Sequence, residues 1–324
     1  VVATDSRPTG PSLAQVVLEV FSGMELPVRF LGVSPTPEVL AYTAAVNTRG
    51  FLILTASHNP IGHNGVKFGF GDGRVAGGSA PRIVAEEFRS LLEESGRFEE
   101  VRRVRALGRE SGIDDVYASM GTHKREAETA YRGKVIESML RTPLEDAGGT
   151  LLELIENSLR KEPLGILIDF NGSARANSID VELLTALGAT VEAIHDAPGE
   201  IAHGIVPEGE GLAECKEALE RAYRRDPAFR LGYVADNDGD RGNLVFINTR
   251  TGEAEQLHAQ EVFALSTVAE LAWDELISTR GDRPAGPRAV VVNGPTSLRV
   301  EEIARSWGAE LFRAEVGEAN VIDR

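Results

Sequence analysis

Ile166-Leu167-Ile168-Asp169, a turn over 170–174, apolar positions at Ile179, Leu183 and Leu187, then Gly188 and Thr190-Val191-Glu192-Ala193-Ile194: this stretch decides the fold. A short apolar run bounded by turn residues reads as a buried strand, and apolar residues four apart read as one face of a helix. Glycine is expected just past a helix, where the chain often takes up positive φ. A strand, helix and strand joined so closely predict parallel strands with a right-handed crossover.

The same layout occurs twice more. Val1-Val2-Ala3-Thr4 leads through the turn Asp5-Ser6-Arg7-Pro8-Thr9-Gly10 into a helix whose buried face is predicted at Leu13, Val16, Val17 and Val20. Gly23 should close it before Val28-Arg29-Phe30-Leu31. Ala289-Val290-Val291-Val292 leads through Asn293-Gly294-Pro295-Thr296 to a helix with Val300, Ile303, Ala304 and Trp307 on one face, closed by Gly308 before Glu310-Leu311-Phe312. The copies lie much further apart than the roughly 20–50-residue period of a solenoid, so they predict related α/β domains.

At roughly 150 residues per domain, 324 residues suggest two or three domains. The expected division is 1–160, 161–255 and a partial third domain over 256–324. The stretch 102–160 is polar and mainly helical in pattern, with turn signals at Thr142-Pro143 and Gly148-Gly149. A break falls near Lys161-Glu162-Pro163, a strand over 244–247 ends at 248–252, a long helix is predicted over about 257–273, and 281–287 is a Pro/Gly-rich loop.

A formal charge of −16 repels polyanions, so nucleic acid is not an expected partner. A phosphate ligand would need a few Arg and Lys gathered locally. No apolar run reaches the roughly 18 residues of a membrane span, and composition is that of a soluble globular chain. The single cysteine, Cys215, excludes an internal disulfide and any multi-cysteine zinc or iron–sulfur site. It is expected as a helix-surface or half-buried thiol. The chain opens on Val1-Val2-Ala3 without a signal peptide and ends on Val321-Ile322-Asp323-Arg324 in a helical pattern, so it is read as an internal piece of a longer, cytoplasmic protein.

Thr55-Ala56-Ser57-His58-Asn59-Pro60 follows the apolar strand Phe51-Leu52-Ile53-Leu54. Small polar residues at a strand's carboxyl end sit where α/β enzymes place ligands. Pro60 holds the preceding backbone extended. Asn64-Gly65 is a hairpin signal that sends Val66-Lys67-Phe68 back, with Lys67 returning beside Ser57. A plain loop with an N-cap serine is the bland alternative. Ser57 and His58 are neighbours on an extended segment and point opposite ways, which argues against a hydrolase pair. Gly69-Phe70-Gly71-Asp72-Gly73 reads as a turn, because no helix follows at once.

Asp236-Asn237-Asp238-Gly239-Asp240-Arg241 follows the strand Leu231-Gly232-Tyr233-Val234-Ala235. Carboxylates at alternate positions of a looped backbone can converge, and converging carboxylates repel unless a hard divalent cation lies between them. An EF-hand reading fails, because Arg241 and Ile247 stand where glycine and glutamate would be needed. Mg²⁺ would keep a position open for a phosphate oxygen, and Arg241 would offer a planar donor fork to the same anion. A solvated acidic turn is the alternative. Serine and metal site together imply phosphoryl transfer through a phosphoserine.

The two motifs, in this order on repeated α/β units, resemble the α-D-phosphohexomutase superfamily, which includes phosphoglucomutase and phosphomannomutase. The resemblance runs along essentially the whole chain. It implies an α/β fold of three related domains with mixed sheets between helices, truncated at both ends relative to a four-domain family. It implies a catalytic phosphoserine at Ser57 and Mg²⁺ bound by Asp236, Asp238, Asp240 and the phosphate on Ser57. Arg7 would lie near that phosphoserine, Lys67 would be a candidate general acid/base, and His58 would match the family's active-site histidine. Arg241 is the candidate substrate contact. The implied reaction moves phosphate between C1 and C6 of a hexose, with glucose or mannose phosphates first in expectation, through a hexose 1,6-bisphosphate intermediate. The implied partners are small hexose phosphates, with no nucleic acid and no membrane; the sequence leaves the oligomeric state open.

Departures accompany the resemblance. The family's upstream Gly-Thr-rich segment, its Gly-Glu-x-Ser-Gly-His sugar loop and its fourth domain are not found. Gly317-Glu318-Ala319-Asn320 reads as a helix start rather than that loop, and Glu315 stands where some members carry lysine. Two other readings compete. A haloacid-dehalogenase-type phosphatase with Asp236 as nucleophile would need Thr or Val where Asp240 stands and leaves Ser57 unexplained. The other is a non-catalytic sugar-phosphate-binding relative.

Overall fold

The computed structural model describes residues 1–110, 112–141, 150–282, 286–322 and 324. The turn signals at 142–143 and 148–149 lie outside them. The chain divides into two compact units, Val1–Ala76 with Arg82–Gln256, and Gly77–Pro81 with Leu257–Arg324.

The first unit opens with β1 (Val2–Thr4), α1 (Gly10–Gly23), β2 (Phe30–Val33), α2 (Thr36–Ala45), β3 (Gly50–Leu54) and β4 (Val66–Phe70). The sheet order is β2-β1-β3-β4. β1 runs parallel to both β2 and β3, as the strand–helix–strand reading requires, and β4 returns antiparallel with Lys67 opposite Ile53. The strands do pair antiparallel as expected, but through the loop 55–65 and not a tight Asn64-Gly65 turn: neither residue takes positive φ, and the Asn64 side chain accepts the Gly65 N–H at 2.8 Å.

Helices α3 (Ala80–Glu93), α4 (Arg97–Glu110), α5 (Ile113–Leu140) and α6 (Thr150–Lys161) follow, in line with the helical pattern of that stretch. A five-stranded mixed sheet comes next. Its elements are β5 (Gly165–Asp169), a 3₁₀ turn (Ala174–Asn177), α7 (Asp180–Ala186), β6 (Thr190–Ile194), α8 (Ala213–Arg225), β7 (Phe229–Ala235), β8 (Gly242–Asn248) and β9 (Glu253–Gln256), in the order β6-β5-β7-β8-β9. Ile179, Leu183 and Leu187 are buried together as expected, although α7 is only the segment between the outer two.

In the second unit, α9 (Ala259–Thr279), β10 (Ala289–Asn293), α10 (Leu298–Ser306), β11 (Glu310–Ala314) and α11 (Glu318–Ile322) surround a parallel strand pair. A capping box between His258 and Glu261 starts α9, and the buried Ile277 carries it past the expected end near Trp273. Among the described residues no helix is long and apolar enough to cross a membrane.

Three sequence expectations are corrected by packing. The buried stripe of α1 is Ala14, Leu18 and Glu19, flanked by Val17 and Phe21, whereas Leu13 is 38% exposed. Helix α4 covers α1 and rotates the stripe: Arg105 and Arg109 reach the Glu19 carboxylate at 2.7 and 3.2 Å, which lets a charged group sit in the interior. Gly188 and Gly308 do take positive φ, but Gly23 does not; Glu25 bears the left-handed turn instead. Gly23 is glycine because a Cβ there would lie 2.0 Å from the Val104 carbonyl oxygen, and on the facing helix a Cβ on Gly108 would lie 1.8 Å from that of Glu19. Cys215 is neither surface nor half-buried. It is fully enclosed among Leu167, Leu212, Leu219 and Val245, and burial pushes its thiol up to about 12, which makes it a core residue.

Helix propensity alone favours alanine over glycine by about 1 kcal/mol. Gly108→Ala is nevertheless expected to lower stability, by about 1–3 kcal/mol, because the clash is with backbone. Urea unfolding gives the sign; a stabilised variant would mean that α1 and α4 do not cross this closely.

Candidate active site

The site is assembled from the carboxyl edges of the two sheets of the first unit, where parallel strands present ligand-binding residues. Asp5, Ser6 and Arg7 follow β1, Thr55 to Ser57 follow β3, Lys67 enters on β4, and the acidic loop joins β7 to β8.

Asp5 organises the serine loop from within. Its carboxylate accepts from the Thr55 hydroxyl at 2.8 Å, and that hydroxyl oxygen accepts the Ser57 N–H at 2.9 Å. Arg7 donates to the same carboxylate from Nε at 2.9 Å. Its Nη1 donates to the carbonyls of Pro60 (2.7 Å) and His63 (3.1 Å), and Nη2 to those of Ser57 (2.5 Å) and Asn59 (2.8 Å). A guanidinium has five N–H groups, and all are engaged. Arg7 therefore meets Ser57 at its backbone carbonyl, and its buried donors are spent on holding the loop rather than offered to an anion. That clamp sustains the left-handed conformation of Ser57, φ 50°, which a non-glycine residue adopts only under constraint.

The acidic loop shows the predicted convergence: one oxygen each of Asp236, Asp238 and Asp240 lies within 4.8 Å of the others. Asp236 and Asp238 are buried and Asp240 is partly exposed. Lys67 places its ammonium between two of them, 3.0 Å from Asp238 and 2.6 Å from Asp240. The expected return of Lys67 towards Ser57 thus ends on the carboxylates. Burial works against its charge, but Asp238 and Asp240 outweigh it and hold the ammonium above its usual range. Burial and the neighbouring Asp238 and Asp240 charges push the Asp236 carboxyl well above the usual range. Burial also acts on Asp238, where the Lys67 charge and hydrogen bond prevail and hold it below that range. Asp238 Oδ1 is buried with no hydrogen-bond partner among the described residues.

Ser57 joins the two halves. Its hydroxyl donates to Asp236 Oδ2 at 3.2 Å and accepts a short bond from Arg241 Nη2, which also contacts His58 Nδ1 at 2.5 Å. Arg241 is oriented by Asp236 through its backbone N–H (3.0 Å) and Nε (3.1 Å), yet its side chain stays half exposed. The two arginines differ in availability: Arg7 is a buried clamp and Arg241 an accessible fork. The eight residues singled out in the sequence are brought to this one locality.

Sequence reading missed the supports. Thr36 begins α2, donates its N–H to the Asp238 carbonyl at 2.8 Å and its hydroxyl to Asp238 Oδ2 at 3.1 Å, and brings the positive end of a helix to the acidic loop. The hydroxyl of Ser6 donates to the Asn237 side chain at 2.8 Å. Ser34-Pro35-Thr36-Pro37 carried a helix-start signal, but its partner is 202 residues away in sequence.

These geometries define an α/β protein with a serine hydroxyl set against a carboxylate triad. Residues 1–94 match the family model of phosphoglucomutase/phosphomannomutase, alpha/beta/alpha domain I. The chain is 27% identical over 326 residues to phosphoglucosamine mutase of Acidovorax sp. (strain JS42), covering 99% of this chain and 60% of that protein. It is 25% identical over 327 residues to phosphoglucosamine mutase of Thermodesulfovibrio yellowstonii, with the same coverage. The fold is shared with a phosphoglucomutase/phosphomannomutase family protein of Burkholderia thailandensis at a TM-score of 0.59 and 17% identity, over 99% of this chain and 58% of that one. The family model and the curated relatives together support the α-D-phosphohexomutase superfamily as the one this chain resembles. The chain spans about 60% of the length of the curated relatives it matches.

Arg7→Met keeps the side-chain volume but leaves Asp5 charged and buried without its partner. Loss of a buried ion-pair partner costs about 3–5 kcal/mol. Denaturant unfolding should show a loss of that size, with protease cleavage appearing first in the loop around Ser57.

Proposed function

We propose that this chain carries the phosphoryl-transfer chemistry of a phosphohexomutase, with Ser57 as the residue that accepts and returns the phosphoryl group while hexose 1-phosphate and hexose 6-phosphate interconvert through a bound 1,6-bisphosphate. The observation that carries this reading is the Ser57 hydroxyl set between Asp236 and the accessible Arg241 at the edge of the triad. In the same proposal, 1–160 is the phosphoserine-bearing domain, 161–255 the metal-binding domain and 256–324 part of a third. Phosphorylated sugars are retained inside the cell by their charge, so the proposed location is the cytoplasm.

The donor set fits Mg²⁺. Hard carboxylate oxygens converge, Asp238 Oδ1 is buried without a partner, and a lysine ammonium stands among them as a cation would. Asp236, Asp238 and Asp240 would hold the ion together with an oxygen on Ser57, and when bound it would neutralise charge on the phosphoryl oxygens. Arg241 then orients the phosphoryl group by its planar fork, and His58 adds a polar ring beside it. Lys67 stays protonated while it pairs with the carboxylates, so it cannot abstract a proton in that state and can act as an acid or a base only as that pairing changes. Arg7 keeps the Ser57 backbone in place without touching the transferred group.

Glucose or mannose phosphate is the substrate the motifs imply first, and the phosphoglucosamine mutase relatives add glucosamine phosphate. A coupled mutase assay run on all three sugar 1-phosphates separates them. Incubation with glucose 1,6-bisphosphate followed by intact-mass and fragment spectrometry should find one phosphoryl group on Ser57, and Ser57→Ala should remove it. A phosphoryl group on Asp236 would instead establish the phosphatase reading.

Because Asp236 keeps its proton to higher pH than an ordinary carboxyl, proton and cation compete for it. Mg²⁺ affinity is expected to rise with pH, by up to about tenfold per pH unit while Asp236 is protonated, and to level off once it ionises. Calorimetric titration across mildly acidic to neutral buffers measures the slope; a flat profile would place Mg²⁺ elsewhere.

A further inference from the structure

A second cluster at the carboxyl edge of the five-stranded sheet takes no part in the chemistry above. Asp169 ends β5, His195 follows β6, and His203 lies in the loop beyond. Asp169 is fully buried, and its two oxygens meet the two rings separately: Oδ1 is 2.9 Å from His195 Nδ1 and Oδ2 is 3.0 Å from His203 Nε2. The remaining ring nitrogens also face acceptors. His195 Nε2 lies 3.2 Å from Glu214 Oε2, and His203 Nδ1 lies 3.0 Å from the Gly204 carbonyl.

Both nitrogens of the His203 ring thus face an oxygen, Asp169 Oδ2 and the Gly204 carbonyl, although a neutral imidazole has a single N–H. The two rings lie against each other on the one buried carboxylate, with centroids 5.8 Å apart. A divalent cation between the rings and the carboxylate would meet the ring lone pairs and the buried charge at one point. The ligating atoms of Asp169, His195 and His203 lie within 4.8 Å of one another.

We propose that Asp169, His195 and His203 form a second cation site, for a borderline divalent ion of the Zn²⁺ class, distinct from the carboxylate triad. Metal-bound histidines characteristically donate their other ring N–H to a carboxylate or a backbone carbonyl. The Gly204 carbonyl is placed to accept in this way from His203 Nδ1, and the Glu214 carboxylate lies 3.2 Å from His195 Nε2. Two imidazoles and a carboxylate suit Zn²⁺, whereas the all-carboxylate triad suits Mg²⁺. His195 is about a quarter exposed, which leaves the ion a route in from solvent.

The site would fasten loops that support the acidic loop. Asn171 accepts the N–H groups of Ala202 and His203 at 2.9 and 3.0 Å, the Gly172 N–H donates to the His195 carbonyl at 2.8 Å, and the Ala174 N–H donates to the Asn237 carbonyl at 2.9 Å.

The test uses the whole chain, freed of metal by a chelator and kept in excess Mg²⁺ so that the triad is not the sink. Zn²⁺ is titrated against a chromogenic competitor, and Co²⁺ is added separately for its visible spectrum. One equivalent of Zn²⁺ should bind, Co²⁺ should show an imidazole-ligated spectrum, and His195→Gln or His203→Gln should abolish both. Glu214→Gln leaves the ligands in place and should weaken Zn²⁺ about 10–100-fold. The double variant Asp236→Asn, Asp238→Asn should leave Zn²⁺ uptake unchanged. The Co²⁺ spectrum of the unaltered chain decides the case even where a variant fails to fold. No uptake, uptake that follows the triad variant instead of the histidines, or nitrogen NMR showing both rings doubly protonated in saturating Zn²⁺ would each overturn the proposal.

Discussion

Three carboxylates held together in a partly buried loop are the constraint on which the rest of the first unit depends. Like charges 4 Å apart at an effective dielectric near 20 repel by about 4 kcal/mol, so Asp236, Asp238 and Asp240 need compensation from elsewhere. Much of it comes from the other sheet. Lys67 is supplied by β4, the amino end of α2 by Thr36, and the Ser57 hydroxyl by the loop after β3. The acidic loop therefore unites two parts of the chain that are far apart in sequence, because its charges are met from the other sheet.

Burial then sorts residues of one chemical type into different work. Arg7 and Arg241 carry the same guanidinium. The first is enclosed with every donor committed to backbone carbonyls and Asp5; the second is aligned by Asp236 and remains half exposed. A phosphate approaching from solvent meets only the second. The same sorting separates the two oxygen-bearing clusters of the second sheet. After β7 the donors are carboxylates alone, and after β5 and β6 a single carboxylate faces two imidazoles.

The local code was legible where chemistry acts over a few residues. Apolar runs gave the strands, Gly188 and Gly308 gave the helix ends, and the two motifs placed Ser57 and the three aspartates after strands. Alternation and turn chemistry act within a handful of residues, so one sequence suffices to read them. The face of α1, the reason for Gly23 and the depth of Cys215 were misread. Each depends on an element packed from outside its own segment: α4 on α1, the Val104 carbonyl at Gly23, and the core beneath α8.

The sequence by itself determined that this chain makes repeated strand–helix–strand units and that a serine and three aspartates end up at strand termini. Tertiary structure alone decided that these termini face one another, that Arg7 spends its donors on a loop while Arg241 keeps its fork open, and that Asp169 gathers two histidines from a separate strand end and loop. Side-chain periodicity fixes which way a residue points from its own element. It carries no information on which distant element arrives opposite, and hydrogen-bond saturation, burial and charge compensation are set by that arrival.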